Sequence, residues 1–279
     1  MKYILIIALF FISFNAKSEQ IINIDSVFKE GMLIYKNAKA SWVGNEILIK
    51  LLELNKETAN LGGYLSYPKD DNTHFIFYNK EQEVVAETHF DSTFKANKDN
   101  ISFKKRKFNN IEARYYNIKQ SLAKYQQHDT IIKYYENTGM NVVPIEFMGK
   151  TKCYILSAPQ FLGQVIYGND YVVEFTDDLE VNSVKDIHQS IIPIAYAKDS
   201  LNNKSYHTHT EEVGFLPTPS DIAITFLYGE LAQWTEHFIY STELTTRLII
   251  STKKMEISKT KKLEDARREA AEAQEKNKK

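Results

Sequence analysis

Tyr206-His207-Thr208-His209, followed by Pro217-Thr218-Pro219-Ser220-Asp221, is the stretch from which this chain can be read. On an extended backbone, side chains two positions apart project to the same side, so the two imidazoles share a face. Asp221 comes about a dozen residues later, behind a turn, and can close on the same point. Two His and one carboxylate form a ligand set of the kind a catalytic zinc uses, with the fourth position left to water. With 7 His in 279 residues, roughly 0.2 His-x-His pairs arise by chance, before a nearby Asp is asked for. The plainer alternative is a pair of surface histidines with no metal.

Outward from this stretch, the N-terminus carries Lys2, an apolar run over residues 3–12, and Ala16-Lys17-Ser18. A short basic start, an apolar run too short to span a bilayer, and small residues at a cleavage position predict a signal peptide over residues 1–18. The expectation is an exported protein, periplasmic or extracellular, with no transmembrane segment once that peptide is removed. Cys153 is the only cysteine, so no internal disulfide forms, and any metal site must use His and carboxylate ligands. The 35 basic and 36 acidic residues leave no bulk field to recruit nucleic acid or an anionic membrane.

Apolar spacing predicts an amphipathic helix over residues 25–40 and a second over 44–59, ended by Leu61-Gly62-Gly63. Strands are expected over 64–67, 73–78 and 83–90, with polar turns between them. Together these make a small α+β N-terminal module over residues 19–106. His74 and His89 fall on its paired strands, but no third ligand accompanies them. Ile111, Tyr115, Ile118, Leu122 and Tyr125 mark one face of a connecting helix, assigned to residues 107–130, and residues 129–137 continue helically. Strands at 152–157, 171–175, 190–197, 236–241 and 246–251, with a helix opened by Asp221, predict a layered α/β domain over residues 131–255. Residues 256–279, charged and nearly free of apolar side chains, read as a helical or disordered tail.

A hydrolase at the His pair also needs a general base, because a ligating imidazole cannot serve as one. Glu146 is the candidate: it sits between Val143-Pro144-Ile145 and Phe147-Met148, where burial would raise a carboxyl pKa toward a useful range. Glu146 in Pro144-x-Glu146-x-x-Gly149, His207-x-His209, and Thr218-x-x-Asp221 together resemble the signature of the JAB/JAMM (MPN+) metallopeptidases. The arrangement also looks like the JAB-related domains of exported bacterial proteins. The resemblance covers roughly residues 130–255. It implies that His207, His209 and Asp221 bind Zn2+, that Glu146 deprotonates the bound water, and that Thr218, in place of the usual Ser, donates its hydroxyl to the tetrahedral intermediate.

Two departures stand out: Thr210 follows the second His where the family usually has Pro, and the loop to Asp221 is longer by one residue. The expected activity is cleavage of a peptide or isopeptide bond, with cell-wall peptides or a partner protein's C-terminus as substrates. The alternative is a non-catalytic binding or structural protein with a degenerate JAB-like site. His-Glu-x-x-His, Pro-Cys-x-x-Cys and Gly-x-Ser-x-Gly are absent, which excludes several other zinc and serine chemistries. Asp177-Asp178 with Glu180 reads as a solvated turn.

Overall fold

A computed structural model describes residues 23–54, 60–197 and 203–260; the expected signal peptide and tail residues 261–279 lie outside the described residues. The described chain is mixed α and β, with three α-helices and three four-stranded sheets. The first sheet joins β1 (Leu61–Lys69), β2 (Asn72–Asn79), β3 (Glu83–Phe90) and the short β4 (Arg106–Lys107) in sequence order. The second joins β5 (Thr138–Phe147), β6 (Lys150–Pro159), β7 (Gln164–Phe175) and β8 (Val181–Ala195) as an antiparallel meander. The third runs in the order β12 (Lys254–Lys259), β11 (Leu244–Ile249), β10 (Glu236–Tyr240) and β9 (Lys204–Thr208). Among the described residues, no helix is long and apolar enough to cross a membrane.

Both faces of β2 are buried because the first sheet lies between two helices. Phe75 and Phe77 join the core beneath helix α1 (Ile24–Leu54), whereas Ile76 and Tyr78 join Tyr115 of helix α2 (Asn110–Gln126). Ile118 and Leu122 of α2 meet Cys153, Ile155 and Val173 of the second sheet, so this helix packs against both sheets. Asn109 caps it, accepting from the Glu112 N–H while Glu112 accepts in return.

One apolar core carries α1, part of the first two sheets, helix α3 (Pro219–Tyr228) and Ile239 and Leu248 of the third sheet. Residues of the expected small α+β N-terminal module, among them Ile34, Leu48, Phe75 and Phe77, lie in this same core. The two expected N-terminal helices are one helix through residue 54. Gly44 does not break it: a Cβ there would fall 2.4 Å from the Phe75 ring, so the glycine serves close packing. The helix expected over 129–137 is absent, because the Asp129 carboxylate accepts from the N–H groups of Ile131 and Ile132 and forms a turn. Residues 256–259, expected in the tail, belong to β12.

Helix α3 is buried from Ser220 to Tyr228, as a core helix must be when apolar all round. It meets α1 edge-to-face through Phe28 and Tyr35 against Phe226. A Cβ on Gly31 would lie 2.7 Å from that of Ile222, one residue after Asp221. Gly31→Val should therefore destabilise the fold by about 1–3 kcal/mol through overpacking, measured by urea unfolding. An unchanged midpoint would show that the two helices are not in this contact.

Candidate metal centre

The centre forms where β7, β8, β9, β10 and the first turn of α3 meet. Along β9, Ser205 and His207 face inward and Lys204, Tyr206 and Thr208 outward. His209, just past the strand, extends the ladder by donating its N–H to the Tyr240 carbonyl at 2.8 Å. The imidazoles share one side as the spacing predicts, with Nε2 of His207 3.2 Å from Nε2 of His209. The strand–helix–strand unit β9–α3–β10, with β9 and β10 parallel, brings the helix N-terminus over them.

Thr218 caps α3, Pro219 occupies its first turn, and Asp221 completes a capping box. Asp221 Oδ2 accepts from the Thr218 N–H at 2.8 Å and from the Thr218 hydroxyl at 2.7 Å. Asp221, only 1% exposed, is the hub of the cluster. Its Oδ1 lies 3.3 Å from His207 Nε2 and 3.7 Å from His188 Nε2, and its Oδ2 lies 3.1 Å from His209 Nε2. Burial alone would raise this carboxyl; the His188 charge and the hydrogen bonds from His207 and His209 outweigh it and hold the group well below the usual carboxylate range.

The far side of each imidazole is tied down. His188 Nδ1 donates to Asp170 Oδ1 at 2.7 Å, and His209 Nδ1 donates to the Leu216 carbonyl at 3.1 Å. His207 Nδ1 lies 2.9 Å from His237 Nε2, and His237 Nδ1 lies 2.7 Å from the Ser205 hydroxyl. The Tyr167 ring stacks on His237 and leans on His207, with its hydroxyl 2.9 Å from that of Thr225. Ligating histidines are commonly oriented in this way, with Nδ1 held by a carboxylate or carbonyl and Nε2 left for a metal.

Two observations test the fit to a metal. Ligands about 2.0–2.1 Å from a tetrahedral ion stand about 3.3 Å apart, close to the spacings around Asp221. The buried Nε2 of His188 makes no hydrogen bond among the described residues, which suits it to bind a cation. His188, His209 and Asp221 thus form a buried group that can hold a metal ion, their ligand atoms all within 4.8 Å of one another. His207 reaches the same carboxylate and the same His209 nitrogen.

His207, His209, Asp221 and Thr218 are therefore brought together, and Glu146 is not. Glu146 ends β5 at the opposite edge of the second sheet from β8, where it is exposed and ion-paired with Arg114 of α2. The strand register sets it five residues along and three strands across from the level of His188. At strand spacings of roughly 4.8 Å and a rise of about 3.3 Å, that is on the order of 20 Å, so Glu146 is no base at this centre. The apolar frame misled because Val143 and Ile145 face one side of a strand and Glu146 the other. Thr218 likewise spends its hydroxyl on Asp221.

His188, Asp170, His237 and Ser205 come from outside the motif. Four of the 7 histidines of the chain meet here. A local cue to Asp170 is Gly168-Asn169 inside an otherwise apolar strand, where both residues have positive φ and the ladder shifts register. A Cβ on Gly168 would lie 1.9 Å from the Ser190 carbonyl oxygen, so only glycine lets β7 present Asp170 to His188.

Burial would lower the His188 pKa, but Asp221 and Asp170 outweigh it and raise it to about 9. Without metal the group is therefore protonated at neutral pH and contributes stability below its unfolded pKa of about 6.5, which is lost as pH rises through about 9. A metal must displace that proton, so metal affinity should rise with pH, about tenfold per unit, and level off above about 9. Competition titrations with a zinc chelator across this range measure the slope, and a flat profile would refute it. Asp170→Asn should weaken metal binding by about 10- to 100-fold by loosening His188.

Comparison of the chain with protein-family models, with curated proteins and with solved structures finds no match.

Proposed function

We propose that this is an exported zinc-binding protein in which the metal is structural: His207, His209 and Asp221 hold the ion and His188 supplies a fourth protein group. The observation that carries the reading is the buried His188 Nε2, free of any hydrogen bond and 3.7 Å from the Asp221 carboxylate. A set of four protein ligands leaves no position for water, which is the mark of structural rather than catalytic zinc. Burial of all four groups and the remoteness of Glu146 support the same reading. Donors from β8, the β9 end and α3 would make the ion a cross-link between the second and third sheets.

The second reading is the zinc hydrolase of JAB type, acting on a peptide or isopeptide bond such as those of cell-wall peptides. It is favoured by the meeting of His207-x-His209 with Thr218-x-x-Asp221, the part of the resemblance most specific to that family and its layered fold. Zinc bound by only three of these groups would supply Lewis-acid activation of a water. The chain's own contribution would be Thr218 and Ser220 hydroxyls beside Asp221, and a base that Glu146 does not provide.

Metal analysis and X-ray absorption of the purified full chain separate the two. The structural reading expects one zinc with three nitrogen ligands and one carboxylate, loss of metal in Asp221→Ala and His209→Ala, and affinity weakened by about 100-fold or more in His188→Ala. It also expects no zinc-dependent hydrolysis. Full affinity in His188→Ala, together with peptide cleavage that needs zinc, would replace it with the hydrolase. Failure of the chain to bind any zinc would dismiss both.

A further inference from the structure

A cavity of about 330 Å³ opens away from the histidine cluster, between α1, β5, the β6–β7 loop and the C-terminal end of α3. It is at the small end of the range for ligand sites. A quarter of the chain is charged, yet among the described residues no Asp, Glu, Lys or Arg lines this cavity. Its polar side chains are four amides, Asn45, Asn141, Gln160 and Gln164, with the hydroxyls of Ser41 and three tyrosines. Its floor includes Trp42 and Tyr228, whose rings lie 5.7 Å apart at 42°.

These amides retain hydrogen-bonding capacity. Asn45 and Gln164 make no side-chain hydrogen bond among the described residues. Gln160 donates to the Thr138 carbonyl at 3.2 Å, and Asn141 donates to the Tyr228 hydroxyl at a long 3.4 Å, which leaves both amide oxygens open. A purely apolar guest would bury these groups unpaired, at about 1–3 kcal/mol each. An ionised guest would meet no charged lining group; the Lys39 and Lys119 ammonium groups stand 5.1 and 4.6 Å from the Trp42 and Tyr64 ring centroids without lining the cavity.

We propose that this cavity binds a neutral saccharide of one or two rings. The C–H face of such a ring stacks on Trp42 and Tyr228, and its hydroxyls, each both donor and acceptor, pair with the amides. Aromatic faces joined to uncharged amides supply both halves of what an uncharged sugar presents. The proposal is independent of the metal, since none of the histidines and neither Asp170 nor Asp221 lines the cavity.

Saturation-transfer NMR on the full chain tests this with cellobiose, maltose and N,N′-diacetylchitobiose at about 10 mM, beside hexanol, an N-acetyl dipeptide amide and glucuronate. The expected result is transfer to the ring C–H protons of at least one neutral disaccharide. Trp42→Ala should weaken it by about tenfold or more, the loss of a stacking partner. Asn45→Ala, at an exposed position where folding is not at stake, should weaken it measurably with zinc content unchanged. Binding of none of the sugars, binding untouched in both variants, or binding of only hexanol, the peptide or glucuronate would overturn the proposal.

Discussion

A carboxylate with almost no access to water, Asp221, sets the terms for the centre of this protein. It stands in the first turn of a helix buried from Ser220 to Tyr228, and the helix N-terminus and the Thr218 cap satisfy only one of its two oxygens. The other requires positive charge or donors from the sheets. The second sheet provides His188 and the third provides His207, while His209 joins Thr218 on the first oxygen, and the packing of α1 on α3 fixes the height at which they must meet. Loss of the carboxylate would leave three inward imidazoles with no common partner, so fold and site are tied through one residue.

What the sequence disclosed follows from how local each signal is. The pairing of His207 with His209 is a property of two residues on one strand, and the place of Asp221 follows from a capping pattern three residues long; both survive folding unchanged. The strands of the first sheet and α2 were likewise legible from period and turn residues. His188 and Asp170 were not, because they meet across a bulged ladder, and nothing in either segment names the other. Glu146 shows the opposite failure: a motif match with the right neighbours in sequence, carried by strand alternation to the face that packs on α2 and, near the strand end, into an exposed ion pair with Arg114. Gly44 and Asp129 show that glycine and aspartate carry two meanings. At Gly44 the meaning was close packing within a helix; at Asp129 it was a side-chain turn in place of one.

The charge inventory bears on why a dication suits this place. Asp221 and Asp170 are both fully buried and lie on either side of His188, and Asp170 Oδ2 has no hydrogen-bond partner. Asp186, nearby on β8, is pushed above the usual carboxylate range by burial and by Asp170. His237 is held well below the usual imidazole range by burial and by His207, so it serves as a neutral spacer to Ser205. Both buried carboxylates face His188, with Asp170 Oδ1 at 2.7 Å and Asp221 Oδ1 at 3.7 Å. Buried carboxylates are tolerated when they are matched and hydrogen-bonded, and a cation held by His188, His209 and Asp221 would add to that match. The metal reading therefore rests on electrostatics as well as on spacing: the protein has assembled the negative charge that a dication would neutralise, and oriented the nitrogens that would bind it.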